Sequence, residues 1–300
     1  MRATRCAAPA GRGWLAISAA AVCWGTGGAA AAILFQTSGL GPVAVTFWRF
    51  AIAAAALVLV RLAQRQNSPL PHGEPRSGRA VVITGCCLAV SQATYFGAVD
   101  AAGVSLGTLV AVGASPVLTA VGSRCFLGEP LTARGLAAIG IASGGLTLLV
   151  VGSHQAPAGS SPLLGAALAL VCAVAYSAVT LLGRSGRGGG ASLGAFTAGA
   201  VCLAPAAGWL GLWTPEASTV SAVGWLLLLG VVNTLIAYRW YFTGLATVPA
   251  ATAAVIVLLE PVAATGIGVI ALGERLTGPA AVGGGLLLAA LIVLARASKG

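Results

Sequence analysis

The sequence predicts an all-α integral membrane protein with ten transmembrane helices, arranged as two inverted five-helix repeats. Three observations predict it. First, 58% of the 300 residues are hydrophobic and only 7% are charged, against about 25% charged in an ordinary soluble domain, so water is not the main solvent of the folded chain. Second, the apolar residues fall into successive runs of roughly 17 to 25, each long enough to cross a hydrocarbon core about 30 Å thick. Third, one segment occurs twice, as SLGTLVAVGASPVLTAVGSRCFLGEPLT at 105–132 and PAATAAVIVLLEPVAATGIGVIALGERLT at 249–277. A constant shift superimposes Pro116 on Pro261, Val117 on Val262, Leu127-Gly128-Glu129 on Leu272-Gly273-Glu274 and Leu131-Thr132 on Leu276-Thr277, the mark of a duplicated architecture.

Taken in order, hydropathy places helices at 14–35, 42–60, 80–99, 105–127, 135–151, 162–183, 191–211, 222–243, 251–272 and 279–295. The first repeat is 1–151, the linker GSHQAPAGSSP is 152–162, and the second repeat is 163–300. The run that opens helix 1 is long and lacks a convincing cleavage site, so it reads as a retained helix. Between helices 2 and 3 lies the longest polar gap, 61–79, whose prolines and charges suit a flexible loop. Placing both termini in the cytoplasm assigns Arg2, Arg5, Arg12, Arg61, Arg65, Arg76, Arg79, Arg124, Arg134, Arg184, Arg187, Arg296 and Lys299 to that side and only Arg275 to the other, with Arg49 and Arg239 inside helices. That asymmetry is the positive-inside pattern of a multi-pass cell-membrane protein. Because five helices per repeat is odd, the second repeat starts on the opposite side of the membrane from the first. Exchanging the conformations of two inverted halves converts an inward-open site into an outward-open one.

Several function classes lose support. The net charge of +10 sits in short gaps between apolar runs, where it orients helices rather than binding nucleic acid. Seven cysteines form no CxxC pair, and the two histidines, His72 and His154, lie in polar gaps; no metal site and no cofactor is expected. No GxxxxGK[ST] motif and no soluble segment of domain size is present, so no nucleotide drives the protein. At membrane depth there is no histidine, paired carboxylate or metal cluster of the kind an enzyme would use.

The ten-helix duplication, Trp24-Gly25 in helix 1, Arg49-Phe50 in helix 2, Leu-Glu-Pro-Val at 259–262 and the paired Gly-Glu endings at 128–129 and 273–274 resemble the EamA family of the drug/metabolite transporter superfamily. The resemblance spans almost the whole chain. It implies a permease whose relatives export amino acids and other small metabolites, with a substrate cavity near mid-membrane between the repeats. Arg239 departs from the family pattern, which has an apolar residue there; near the cytoplasmic end of helix 8 its long side chain can reach water.

Glu260 is the foremost candidate for substrate binding or coupling. Charges at this depth face a cavity or a partner, and a carboxylate there changes charge with its surroundings, which suits coupling to protons. Arg49 matches it in depth, as an ion-pair partner or as a ligand for a substrate carboxylate. Ser115 is the repeat counterpart of Glu260, and Pro116 and Pro261 are expected to disrupt equivalent turns. Thr108, Ser115, Thr119 and Gly122 share one face of helix 4, suited to lining a cavity or to close helix packing. Gln92 and Tyr95 in helix 3, and Asn233, Trp240 and Tyr241 in helix 8, suit a small polar or zwitterionic ligand; interhelical hydrogen bonding explains the amides as well. Trp24 and Tyr176 occupy similar places in the two repeats and would close the cavity or pack. Glu129 and Glu274 sit beside glycine where they would shape turns, and Gly140, Gly144 and Gly283 to Gly285 would permit close backbone approach.

The expected protein is therefore a proton-coupled secondary transporter of small metabolites, amino acids or related compounds, working in the efflux direction. Its partners are a small-molecule substrate, the lipid bilayer and protons. An uncoupled facilitator and a lipid-headgroup flippase remain as alternatives, and the sequence leaves monomer and homodimer both open.

Overall fold

The computed structural model describes residues 10–65, 78–152, 161–187, 190–272 and 277–297. Ten long helices account for nearly all of them: α1 Ala10–Ser38, α2 Pro42–Arg65, α3 Gly78–Gly103, α4 Leu106–Leu127, α5 Ala133–Gly152, α6 Pro162–Arg184, α7 Leu193–Leu210, α8 Val220–Leu245, α9 Ala250–Val257 continued as Leu259–Leu272, and α10 Gly278–Ala297. Among the described residues, α2 to α10 are nine helices long and apolar enough to cross a membrane, and α1 adds 29 mostly apolar residues. The part of the polar gap at 66–77, the linker at 153–160 and Glu274 lie outside the described residues.

Local chemistry sets the boundaries. Pro162 opens α6 in its first turn, where its missing N–H costs nothing. Ser192 accepts from Ala195 N at 3.2 Å to cap α7, and Thr219 accepts from Ala222 N at 3.2 Å to cap α8. The duplicated Leu-Thr has a structural meaning. Thr132 caps α5 through Gly135 N at 3.1 Å, and Thr277 caps α10 through Ala280 N at 3.3 Å. Between α3 and α4 no polar loop is needed, because Gly103 reverses the backbone locally with φ +83°, a conformation open to glycine. Arginine-bearing α2 runs to Arg65 rather than 60, since long cationic side chains reach the interface from inside a helix.

Contacts between the halves come in exchanged pairs. Near the start of α1, Gly13 abuts Gly244 of α8 and Thr247 just past its end; near the start of α6, Gly165 abuts Ala102 of α3. Gly85 of α3 lies against the Ala195 carbonyl of α7, and Gly230 of α8 against Ile52 of α2. Gly25 of α1 packs on the backbone of α9 at Glu260, as Ser177 of α6 packs on α4, donating to Ser115 O at 3.3 Å. Helices α5 and α10 pair with each other, with Gly145 and Gly283 at the crossing. Such reciprocity is what a pseudo-two-fold relation between five-helix halves produces. Without a hydrophobic drive between helices in lipid, these small residues are what allow backbones close enough for dispersion contacts. Gly283 behaves as expected, whereas Gly140, Gly144 and Gly285 have nothing within 4 Å of where a Cβ would stand and make no such approach.

One expectation is corrected. Pro116 and Pro261 do not disrupt equivalent turns: α4 runs unbroken through Pro116, while α9 breaks at Leu258, three residues before Pro261. Pro261 has no N–H for the carbonyl of Val257, and Leu258 N bonds Val255 O at 3.1 Å in a tighter turn. In α4 the Ser115 hydroxyl donates to Ala111 O at 2.7 Å and its carbonyl takes the Ser177 bond, so that turn is held by side chains that Glu260 does not supply.

Candidate functional site

The break at Leu258 separates two different environments along α9. From Ala253 to Leu258 every residue is buried, whereas from Leu259 to Ile267 all nine are at least partly accessible. A helix packed on one face buries a position every three or four residues. Accessibility around more than two full turns means that the inner face borders open space too. In α3 the six consecutive residues Gln92 to Gly97, more than one and a half turns, are likewise all partly accessible. These stretches belong to the halves of their helices lying away from the face on which α1 begins, hereafter the N-terminal face.

Glu260 stands at the inner end of this space. The residue is partly buried and lies within electrostatic reach of Arg49, Tyr95, Cys172, Tyr176 and Tyr238. Arg49 is near enough to feel the carboxylate, yet among the described residues no ion pair within 4 Å joins them; the Arg49 Nε donates to Thr234 Oγ1 at 3.1 Å instead. Both charges therefore keep bonding capacity: the carboxylate as an acceptor, the guanidinium through its terminal nitrogens.

Beside the charges lies an aromatic layer. Trp24 sits 5.0 Å from Tyr238, 5.3 Å from Tyr241 and 6.5 Å from Tyr176, measured between ring centroids, and Tyr176 stacks on Tyr241 at 6.2 Å. Separations of this order are direct ring contacts. Trp24 is fixed by Nε1 donating to Asn233 O at 2.9 Å. The Asn233 side chain in turn donates to Cys23 O and to Thr26 Oγ1, so α1 and α8 are tied at this level. Two polar atoms here, Tyr176 OH and Asn233 Oδ1, are buried without a hydrogen-bond partner among the described residues. Tyr241, fully buried, pairs its hydroxyl with Thr180 Oγ1 at 2.7 Å. Thr180→Val, which keeps the shape and orphans that hydroxyl, is expected to lower stability by about 1–3 kcal/mol, visible as a lower melting temperature of the purified protein.

The structure thus gathers Glu260, Arg49, Tyr95, Trp24, Tyr176, Asn233 and Tyr241 around one level of the bundle. Tyr95 reaches it from α3 and is braced by a 3.0 Å hydroxyl contact with Thr108 of α4. Gln92 borders the accessible space. Two candidates stand elsewhere. Ser115 serves helix packing together with Thr119 and Gly122: Thr119 Oγ1 donates to Ser177 Oγ at 3.1 Å and Gly122 meets Leu181 of α6. Trp240 is 42% exposed on the outer side of α8, and Tyr238, absent from the sequence-based candidates, is buried in the layer. The cause is the π-helical stretch Leu228–Ile236, where Thr234 Oγ1 reaches back five residues to Leu229 O at 2.9 Å. A wider turn shifts the register, bringing Tyr238 and Tyr241 under Asn233 and turning Trp240 out.

Comparison with known proteins agrees with this architecture. The chain is similar over 288 residues, at 26% identity, to an uncharacterized transporter, YwfM, of Bacillus subtilis (strain 168), covering 93% of this chain and 92% of that one. A solved crystal structure shares the fold at a TM-score of 0.77 and 20% identity, over 94% of this chain and 97% of the other. Residues 11–151 and 163–296 each match the EamA-like transporter family. Two matches to one family, covering nearly all of a ten-helix membrane protein, make the chain a member of the EamA-like transporter family and a membrane transporter rather than an enzyme.

Proposed function

We propose that this transporter exports small zwitterionic metabolites, amino acids or close relatives, by alternating access of its two inverted repeats, and that protonation of Glu260 couples the movement to the proton gradient. The observation that carries the proposal is a carboxylate and a guanidinium at one depth, each with unused bonding capacity and not spent on one another. Charge left without a partner in a membrane interior is costly. It is relieved by a proton on Glu260 or by a ligand that presents an ammonium to Glu260 and a carboxylate to Arg49. Trp24 and Tyr176, half-buried above fully packed tyrosines, supply an apolar surface for the rest of such a ligand. The same proposal places the protein in the cell membrane with residues 1–151 and 163–300 as its repeats and both termini cytoplasmic, as the arginine distribution supports.

Purified protein in proteoliposomes, given a mixture of labelled amino acids, tests the reading. A pH gradient is expected to drive accumulation that a protonophore abolishes. Counterflow that persists while the gradient makes no difference identifies an uncoupled facilitator instead, and movement of labelled phospholipid without amino-acid flux identifies a flippase.

A further inference from the structure

Below the aromatic layer, at the N-terminal face, four helix ends meet on two charged side chains. Glu129, just past the end of α4, pairs its Oε1 with Arg184 Nε of α6 at 2.7 Å. Its Oε2 accepts from Ala250 N, the first residue of α9, at 2.9 Å. Arg184 Nη1 donates to Leu245 O at 3.0 Å and Ala246 O at 2.9 Å at the end of α8. Each charge thus sits at the helix terminus whose dipole favours it, the carboxylate at an N-terminus and the guanidinium at a C-terminus. Glu129 belongs to the first repeat and its two partners, Arg184 and Ala250, to the second, so these two bonds join one repeat to the other.

The rest of the bundle is open and closed in a matching way. On the N-terminal side, α9 is buried from Ala253 to Leu258 and α4 is packed at Ser115, Pro116, Thr119, Ala120, Gly122 and Ser123; on the other side α9 from Leu259 to Ile267 and α3 from Gln92 to Gly97 border accessible space. The described conformation is closed at the N-terminal face and accessible from the opposite one. We propose that the Glu129–Arg184 pair, together with the helix ends it binds, is the lock that holds the N-terminal face closed and that breaks when the transporter opens there. This rests on the alternating-access reading given above.

Among the described residues, a charged pair of this kind is found on one face only. Its acid is duplicated, since Glu274 follows the second Leu-Gly exactly as Glu129 follows the first, but its base is not: the correspondence that sets Trp24 against Tyr176 sets Ala32 against Arg184. The opposite face is joined differently, through backbone carbonyls: Trp48 Nε1 donates to Leu212 O at 2.9 Å, Thr214 to Ser38 O, Thr277 Oγ1 to Gly152 O at 2.7 Å and Ser161 N to Ala101 O at 3.0 Å. Pair and peptide bonds also account for why the two side chains are only 16% and 25% exposed. A partly exposed pair of this kind is weak enough for a transport cycle to break.

Two cysteine reporters test this in a background whose seven native cysteines are replaced by alanine. Ser123→Cys replaces a fully buried hydroxyl beside the lock. Gly266→Cys stands on the accessible half of α9, where a Cβ has nothing within 4 Å. Protein in nanodiscs is labelled with a polar maleimide, with no substrate and no gradient. Glu129→Gln and Arg184→Gln are each expected to speed labelling at Ser123→Cys by about tenfold and to slow it at Gly266→Cys, and the double variant is expected to do no more than either single one. Unchanged labelling at Ser123→Cys overturns the proposal. Faster labelling there with Gly266→Cys unchanged also overturns it, because that is local fraying of a helix cap. Should a glutamine variant elute as aggregate, Arg184→Lys, which keeps the charge but loses the planar fork, carries the same test. The readout involves no transport, so failure of the proton-coupling reading in proteoliposomes leaves this result standing, and the reverse is equally true.

Discussion

Glu260→Gln is expected to abolish proton-driven accumulation of substrate, bringing the internal concentration down to the equilibrium level, while counterflow of the same substrate continues at a reduced rate. Glutamine keeps the length and hydrogen-bonding capacity of glutamate but takes up no proton, so the variant remains in one charge state through the cycle. Stability is expected to hold or rise. The carboxylate has no ion pair within 4 Å among the described residues, and removing a charge from a poorly hydrated position relieves desolvation without orphaning a partner. Retention of full gradient-driven accumulation by the variant would remove Glu260 from the coupling step. Loss of counterflow together with accumulation would assign Glu260 to substrate binding instead.

The second large effect is expected at Gly25. A Cβ added there falls 2.7 Å from the Glu260 carbonyl, 2.7 Å from the Ala263 Cβ and 3.0 Å from the Ala264 nitrogen. Two of those three atoms are backbone, so no rotamer change relieves the contact. Gly25→Val is therefore expected to push α1 off α9 at the turn bearing Glu260, costing about 1–3 kcal/mol of stability and most of the transport activity. Gly140→Val is the control, since a Cβ at Gly140 meets nothing within 4 Å. Thermal unfolding and counterflow measured on both variants check the prediction. Equal behaviour of the two would mean that the α1–α9 contact does not position the site.

The contrast between these two positions shows how the sequence and the tertiary structure divide the explanation. Trp24-Gly25 is visible in the sequence as a motif, but nothing local says that its glycine faces the Glu260 carbonyl; that follows from a contact between residues more than 200 positions apart. Glu260 itself was legible because a carboxylate inside an apolar run is conspicuous whatever surrounds it. Trp240 and Tyr238 were not separable, because a periodicity of 3.6 fails across the π-helical stretch of α8. The lock was equally hidden: Glu129 and Arg184 each read as an ordinary charge at a helix end, and only folding brings them to 2.7 Å.

What the sequence by itself determined is the class of the molecule: ten apolar helices, their duplication, and the depth of Glu260 and Arg49. Those are consequences of local hydrophobicity and of chain copying, both of which are written along the chain. What only the tertiary structure decided is partnership. Arg49 bonds Thr234 rather than Glu260, Ser115 packs against α6 rather than lining the site, and α9 is buried from Ala253 to Leu258 but partly accessible from Leu259 to Ile267. In lipid every helix is apolar on most sides, so hydrophobic pattern specifies which segments cross but not which sides meet. Close-fitting glycines and a handful of interhelical hydrogen bonds settle that, and these exist only once the helices are assembled.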